Sequence, residues 1–188
     1  MTHAPDLYGR YHKGLRFALA RLLTDLGASD PADADAWEAI AARWRALEET
    51  LALHSHHEDS HIHPLVVRAN PEVAAYLDAQ HRALEITIAH LDRLFGAVSE
   101  AGGAEAGRAA AHGLYLRMSG FVADYFQHLL VEEQAAMPAL VARFSAETLA
   151  ATFKAMLATI PPARRMADLA LMTPALRPDE RAGLPGAA

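Results

Sequence analysis

The chain contains no cysteine, which excludes disulfides, thiolate zinc sites and iron–sulfur clusters. It has no block of basic residues, and its 17 Lys and Arg are outnumbered by 23 Asp and Glu, for a formal charge of −6. Binding to a phosphate backbone draws on clustered Lys and Arg, so nucleic acid is not an expected partner. No uncharged apolar run approaches the roughly 20 residues of a membrane-spanning helix. The first residues, MTHAPDLYGRYHKGLR, lack the apolar core of a secretory signal. The expectation is a cytoplasmic protein with no membrane partner. Runs of β-branched residues are also missing, while Ala, Leu, Arg and Glu dominate, a composition that favours helix. With 188 residues, 52% of them hydrophobic, the chain can bury one sizeable core.

Apolar periodicity places four long helices. The first runs from about Asp6 to Leu26, with Tyr8, Leu15, Leu19, Leu22 and Leu26 on one stripe. GASDPADA breaks it, and Ser29 or Asp30 before Pro31 is a suitable cap for the next helix. The second carries Trp37, Ile40, Trp44, Leu47 and Leu51 and continues to about Arg68. ANPE follows, with Asn70 as cap and Pro71 in the first turn. The third carries Leu77, Leu84, Ile88, Leu91 and Phe95 and stops near SEAGGAEAG; the fourth carries Leu114, Met118, Phe121, Tyr125 and Leu140. Short breaks between long amphipathic helices predict an all-α fold, an up-down-up-down four-helix bundle over residues 1–144. After Phe144 the pattern weakens. SAETLAATFKAMLATI reads as a shorter helix capped by Ser145, and the remainder has room for another turn or two. Residues 145–188 are expected to form a helical appendage packed on the bundle, with a dimer contact or a cover over one end as its other roles. The protein is expected to be a monomer or a homodimer.

The stretch LALHSHHEDSHIHPLV, residues 51–66, gathers five histidines and two carboxylates between apolar anchors. Extending the second stripe past Leu51 reaches His54, Glu58 and His61. The fourth stripe extends to His128 and Glu132. In the first, Tyr8 and Leu15 bracket His12; in the third, Leu77 and Leu84 bracket His81, with Glu85 one turn on. All four stripes thus carry a histidine on the buried seam. A single core histidine is usually satisfied by a backbone carbonyl, but an ionised carboxylate in an apolar core is costly unless paired or bound to a metal. Four imidazoles with up to three carboxylates point to a cation. His61 falls on the stripe as a further ligand or a partner of one.

HSHHEDSHIHPLV from His54 and HLLVEEQAAMPALV from His128 share one pattern: His, three residues, Glu, an acidic residue, four residues, Pro. His and Glu at i and i+4 lie on one helix face and can reach one metal centre. HKGLR at His12 likewise resembles HRALE at His81. The first two helices look like a copy of the last two, an arrangement suited to two metal ions side by side. His12 and His81 come early in their helices, His54 and His128 late, so an antiparallel bundle brings all four to one end.

These motifs together resemble the hemerythrin-like (HHE cation-binding) family over about residues 6–143. The resemblance implies a non-haem di-iron centre in a four-helix bundle. It implies two iron ions as cofactor, with manganese or zinc as substitutes, and His12, His54, Glu58, His81, His128 and Glu132 at ligand positions, Glu58 and Glu132 bridging. Glu85 stands where oxygen-carrying hemerythrins have a second histidine. A carboxylate ligand there favours ferric iron and moves the expected chemistry from reversible oxygen carriage toward oxidase, peroxide-handling or sensing chemistry. The implied partner is a small diatomic molecule or peroxide: a protein that binds or reacts with oxygen, peroxide or nitric oxide in sensing, storage or iron handling, or, alternatively, a di-iron enzyme that reduces peroxide or oxidises a small substrate. A zinc or manganese hydrolase is a third reading. His56, His57, His63 and His90 lie off the stripes, and His3 and His112 carry no signal. Tyr8 and Tyr125 read as core residues whose hydroxyls could reach a ligand.

Overall fold

A computed structural model of the chain describes residues 4–182; His3 lies outside them. Among the described residues every regular element is helical and there is no strand. The chain forms two compact units. One holds the residues up to Ala18, His56–Leu77 and those from Leu129 on; the other holds Leu19–Ser55 and Asp78–His128.

Helix α1 (Gly9–Ala28) follows Asp6, whose carboxylate accepts from the Tyr8 and Gly9 backbone N–H groups at 3.1 and 2.9 Å. Helix α2 (Ala34–His57) starts three residues later than Pro31. Asp30 closes a tight turn instead, and it is Asp33 that accepts from the Ala36 N–H at 3.1 Å. α4 (Pro71–Ser99) is capped by Asn70, which accepts from the Val73 N–H at 3.2 Å. A left-handed Gly103 (φ 105°) leads into α5 (Ala104–Val131), a backbone conformation glycine adopts without strain.

The second and fourth predicted helices are each interrupted by one wide π turn. α2 passes through Glu58–Ile62 into α3 (His63–Ala69), and α5 passes through Glu132–Ala136 into α6 (Met137–Arg143). Pro64 and Pro138 explain the position. Proline donates no hydrogen bond and its ring crowds the carbonyl four residues back, and a locally widened turn accommodates both. The N–H groups of His63 and Met137 accordingly reach back five residues to the carbonyls of Glu58 and Glu132.

In the second unit the core is built on Trp44, which is fully buried. It stacks on Phe95 (centroids 5.5 Å apart, 12° between planes) and meets the edge of Phe121 (6.1 Å, 87°). In the first unit Leu7, Tyr8, Ile62, Val66, Leu77 and Leu140 form one apolar cluster. The segment after Phe144 belongs to that cluster. α7 (Ala146–Thr159), capped by Ser145, contributes Leu149. α8 (Pro162–Met172) is longer than the turn or two expected, and α9 (Pro178–Ala182) follows. α8 approaches α1 so closely that a Cβ on Gly14 would lie 3.1 Å from the Met172 Cα. The Tyr11 hydroxyl donates to Asp168 at 3.0 Å and Lys13 pairs with Glu180 at 2.6 Å, so α1 is held by its neighbours on both sides of His12.

Candidate metal centre

In the first unit the site begins with α1 and the two π turns. His12 is wholly buried, and Glu58 and Glu132 are 4% and 1% exposed. The His12 Nε2 lies 3.5 Å from an oxygen of each carboxylate. Its Nδ1 lies 2.9 Å from the Glu133 Oε1, which also accepts from Arg16 Nη1 at 2.6 Å. Burial lowers the pKa of His12 against the opposing hydrogen bond to Glu133, so the ring is held neutral. Burial raises both Glu58 and Glu132, and their mutual proximity pushes Glu58 further up. Glu133 behaves oppositely. Its partial burial works upward, but hydrogen bonds from His12 and Arg16 outweigh it and hold the carboxyl down at about 2. Tyr8, its ring 5.4 Å from that of His12, is kept in its O–H form by burial and by the charges of Glu132 and Glu58.

In the second unit α4 and α5 bring His81 and His128 together, Nε2 to Nε2 at 3.1 Å with the rings at 64°. The His128 Nδ1 faces the Gln80 Oε1 at 3.2 Å, and Tyr125 lies against the His128 ring at 5.8 Å. His54 is buried one turn before Glu58.

The ligand atoms fall into two groups, each drawn within 4.8 Å: His12, His54, Glu58 and Glu132 in one, Glu58, His81, His128 and Glu132 in the other. Both groups contain the two carboxylates, so each offers two imidazole nitrogens and two oxygens. The donors fit a pair of first-row cations. Two nitrogens bound at right angles to one ion at about 2.1 Å stand roughly 3 Å apart, which matches the His81–His128 separation. Neutral imidazoles with carboxylates are the ligand set that such ions favour.

Six of the sequence-derived candidates thus come together, and two do not. Glu85 is exposed and belongs to neither group. The reason is helical phase. At 3.6 residues per turn, a buried seam advances in alternating steps of four and three. On α4 it runs Leu77, His81, Leu84, so the step after His81 is three and Glu85 turns toward solvent. On α2 it runs Leu51, His54, Glu58, and on α5 Tyr125, His128, Glu132, where the step of four falls on the glutamate. His61 is half-buried and also outside both groups, because the π turn carries the seam from Glu58 to Ile62 instead. His56, His90 and His112 are exposed, and His57 and His63 half-buried. Glu133, Arg16 and Gln80 were not singled out from the sequence. The one available signal was the acidic residue after each motif glutamate, Asp59 and Glu133.

The family model of the hemerythrin HHE cation-binding domain matches residues 3–140. No curated protein and no solved structure matches the chain.

Proposed function

The chain belongs to the hemerythrin HHE cation-binding family, and from that premise we propose that it is a non-haem di-iron protein that binds or reacts with oxygen, peroxide or nitric oxide. One observation carries the reading: two ligand groups of two histidines each share the same two buried carboxylates. His12 and His54 would hold one ion and His81 and His128 the other, with Glu58 and Glu132 bridging. In this reading the four long helices, joined by short connections, run up, down, up and down.

Bound iron would supply redox chemistry and coordination positions open to a small ligand. The chain provides the rest. Glu58 and Glu132, both buried, would offset the positive charge. His12, held neutral by burial, would present a lone pair. Tyr8, in the apolar cluster with Leu7, Ile62 and Val66, keeps its hydroxyl proton.

The test is metal analysis of protein purified from iron-supplied cells, with optical spectra before and after oxygen, hydrogen peroxide or nitric oxide. Two iron ions per chain and a spectrum altered by at least one of these ligands are expected. One equivalent or less in a folded, fully loaded sample would overturn the two-ion reading. Preferential loading with zinc or manganese, or a spectrum indifferent to all three ligands, would overturn the iron chemistry.

A further inference from the structure

His12 has one nitrogen facing the two carboxylates and the other facing Glu133. Glu133 lies next to a bridging glutamate in sequence, yet it is in neither ligand group. It is gripped twice by α1, one turn apart, through the His12 Nδ1 at 2.9 Å and Arg16 at 2.6 Å, both on Oε1. A carboxylate only accepts hydrogen bonds. Its contact with the imidazole therefore requires the proton on Nδ1 and leaves the Nε2 lone pair directed at Glu58 and Glu132. At His128 the corresponding contact is with the neutral amide oxygen of Gln80, at 3.2 Å.

We propose that Glu133, anchored by Arg16, is the positioning residue of His12. It fixes the tautomer and ring orientation in which Nε2 receives a metal ion, and its negative charge makes that nitrogen a stronger donor. The inference rests on the reading of His12 as a ligand. A carboxylate behind a metal-bound imidazole strengthens metal binding, and its loss typically weakens affinity about 10–100-fold. The Arg16 contact on Glu133 involves none of the ligand residues, so the tautomer should be fixed in the metal-free protein too. Gln80, uncharged and at a longer distance, contributes less at His128.

Two measurements test this. The first is nitrogen NMR of the ring tautomers in metal-free protein, wild type, Glu133→Gln and Glu133→Ala. The second is anaerobic titration of the same three proteins with ferrous iron against a chromophoric chelator. In the wild type His12 should carry its proton on Nδ1, and the Ala variant should lose that fixed tautomer. Ferrous affinity should fall about 10–100-fold in Glu133→Ala. Glu133→Gln retains an accepting oxygen without the charge, so it should keep the tautomer and recover only part of the loss. A Gln variant that loses the Nδ1 tautomer would overturn the proposal. So would unchanged affinity in Glu133→Ala, or a wild-type His12 protonated on Nε2. If the Ala variant does not fold, the wild-type tautomer and the Gln variant still decide. Wild-type protein that takes up no ferrous iron refutes the metal reading itself, a result separable from the tautomer seen without metal.

Discussion

Glu58 and Glu132 place two carboxyl groups where water barely reaches, and burial raises the pKa of both. A carboxyl raised in the folded state contributes stability that is complete below its ordinary pKa and lost as pH rises through the raised value. The metal-free protein should therefore weaken, on account of this pair, as pH climbs from the ordinary carboxylate range toward neutrality and beyond. His12, lowered by burial, acts in the opposite sense below the ordinary imidazole pKa, so Glu58→Gln is the reference that isolates the pair. Urea unfolding of both metal-free proteins across pH should show the steeper decline in the wild type. A metal ion must displace those protons, so ferrous uptake should release protons and tighten with rising pH. Calorimetry in buffers of different ionisation enthalpy counts them. Glu58→Ala, which removes a donor from both ligand groups, should abolish metal binding, whereas Glu85→Ala, on the exposed side of α4, should leave metal content at the wild-type level. Leu47→Ala should cost about 2–5 kcal/mol in both metal states, because it leaves a cavity.

Each π turn starts at one of the two buried glutamates, Glu58 or Glu132, and ends just before a proline-bearing turn. The widened turn resets the seam, so that Ile62 and Val66 after one glutamate, and Ala136 and Leu140 after the other, point inward. Without it His61 would compete for the interior, as straight α-helical spacing predicts. α1 depends on a different device. Gly14 lets the end of α8 approach backbone to backbone, beside the Tyr11–Asp168 and Lys13–Glu180 contacts. Gly14→Val would drive a branched side chain into the Met172 Cα and the Leu171 carbonyl, neither of which is a flexible side-chain tip. It should destabilise the protein by roughly 1–3 kcal/mol, read as a lower denaturation midpoint in urea. An unchanged midpoint would show that α8 gives way freely. Ser145→Ala removes the cap bonded to the Thr148 N–H and should cost about 0.5–2 kcal/mol.

The family match ends at residue 140, yet Leu149 beyond it is fully buried in the apolar cluster of the first unit. A chain ended at Phe144 should lose that packing and the contacts on α1 together. Its melting temperature should fall, and it should release ferrous iron to a chelator faster than the full chain does. Equal release rates would mean the segment packs against α1 without steadying His12. For the full chain, a ligand present at about 1,000 times its Kd adds roughly 4 kcal/mol to folding stability. Removing the metal with a chelator should therefore lower the melting temperature of the wild type markedly and that of Glu58→Ala little.

Much of this was legible in the residues themselves. Helical composition, the stripes from Trp37 to Leu51 and from Leu114 to Tyr125, the caps at Asn70 and Ser145 and the repeated His-x-x-x-Glu motifs all act through neighbours three or four positions away, and local periodicity records such neighbours faithfully. The phase that excludes Glu85 was also local, since it follows from counting the steps past Leu77 and Leu84. The wide turns were not legible. A proline marks strain in a helix but does not say whether the chain kinks, ends or widens, and the packing of Ile62 and Ala136 decides it. Nor could the pairing of His12 with Glu133 be read in advance. The two residues are 121 positions apart, and only the folding of α1 against the second π turn brings an acid to one side of that ring and two more to the other.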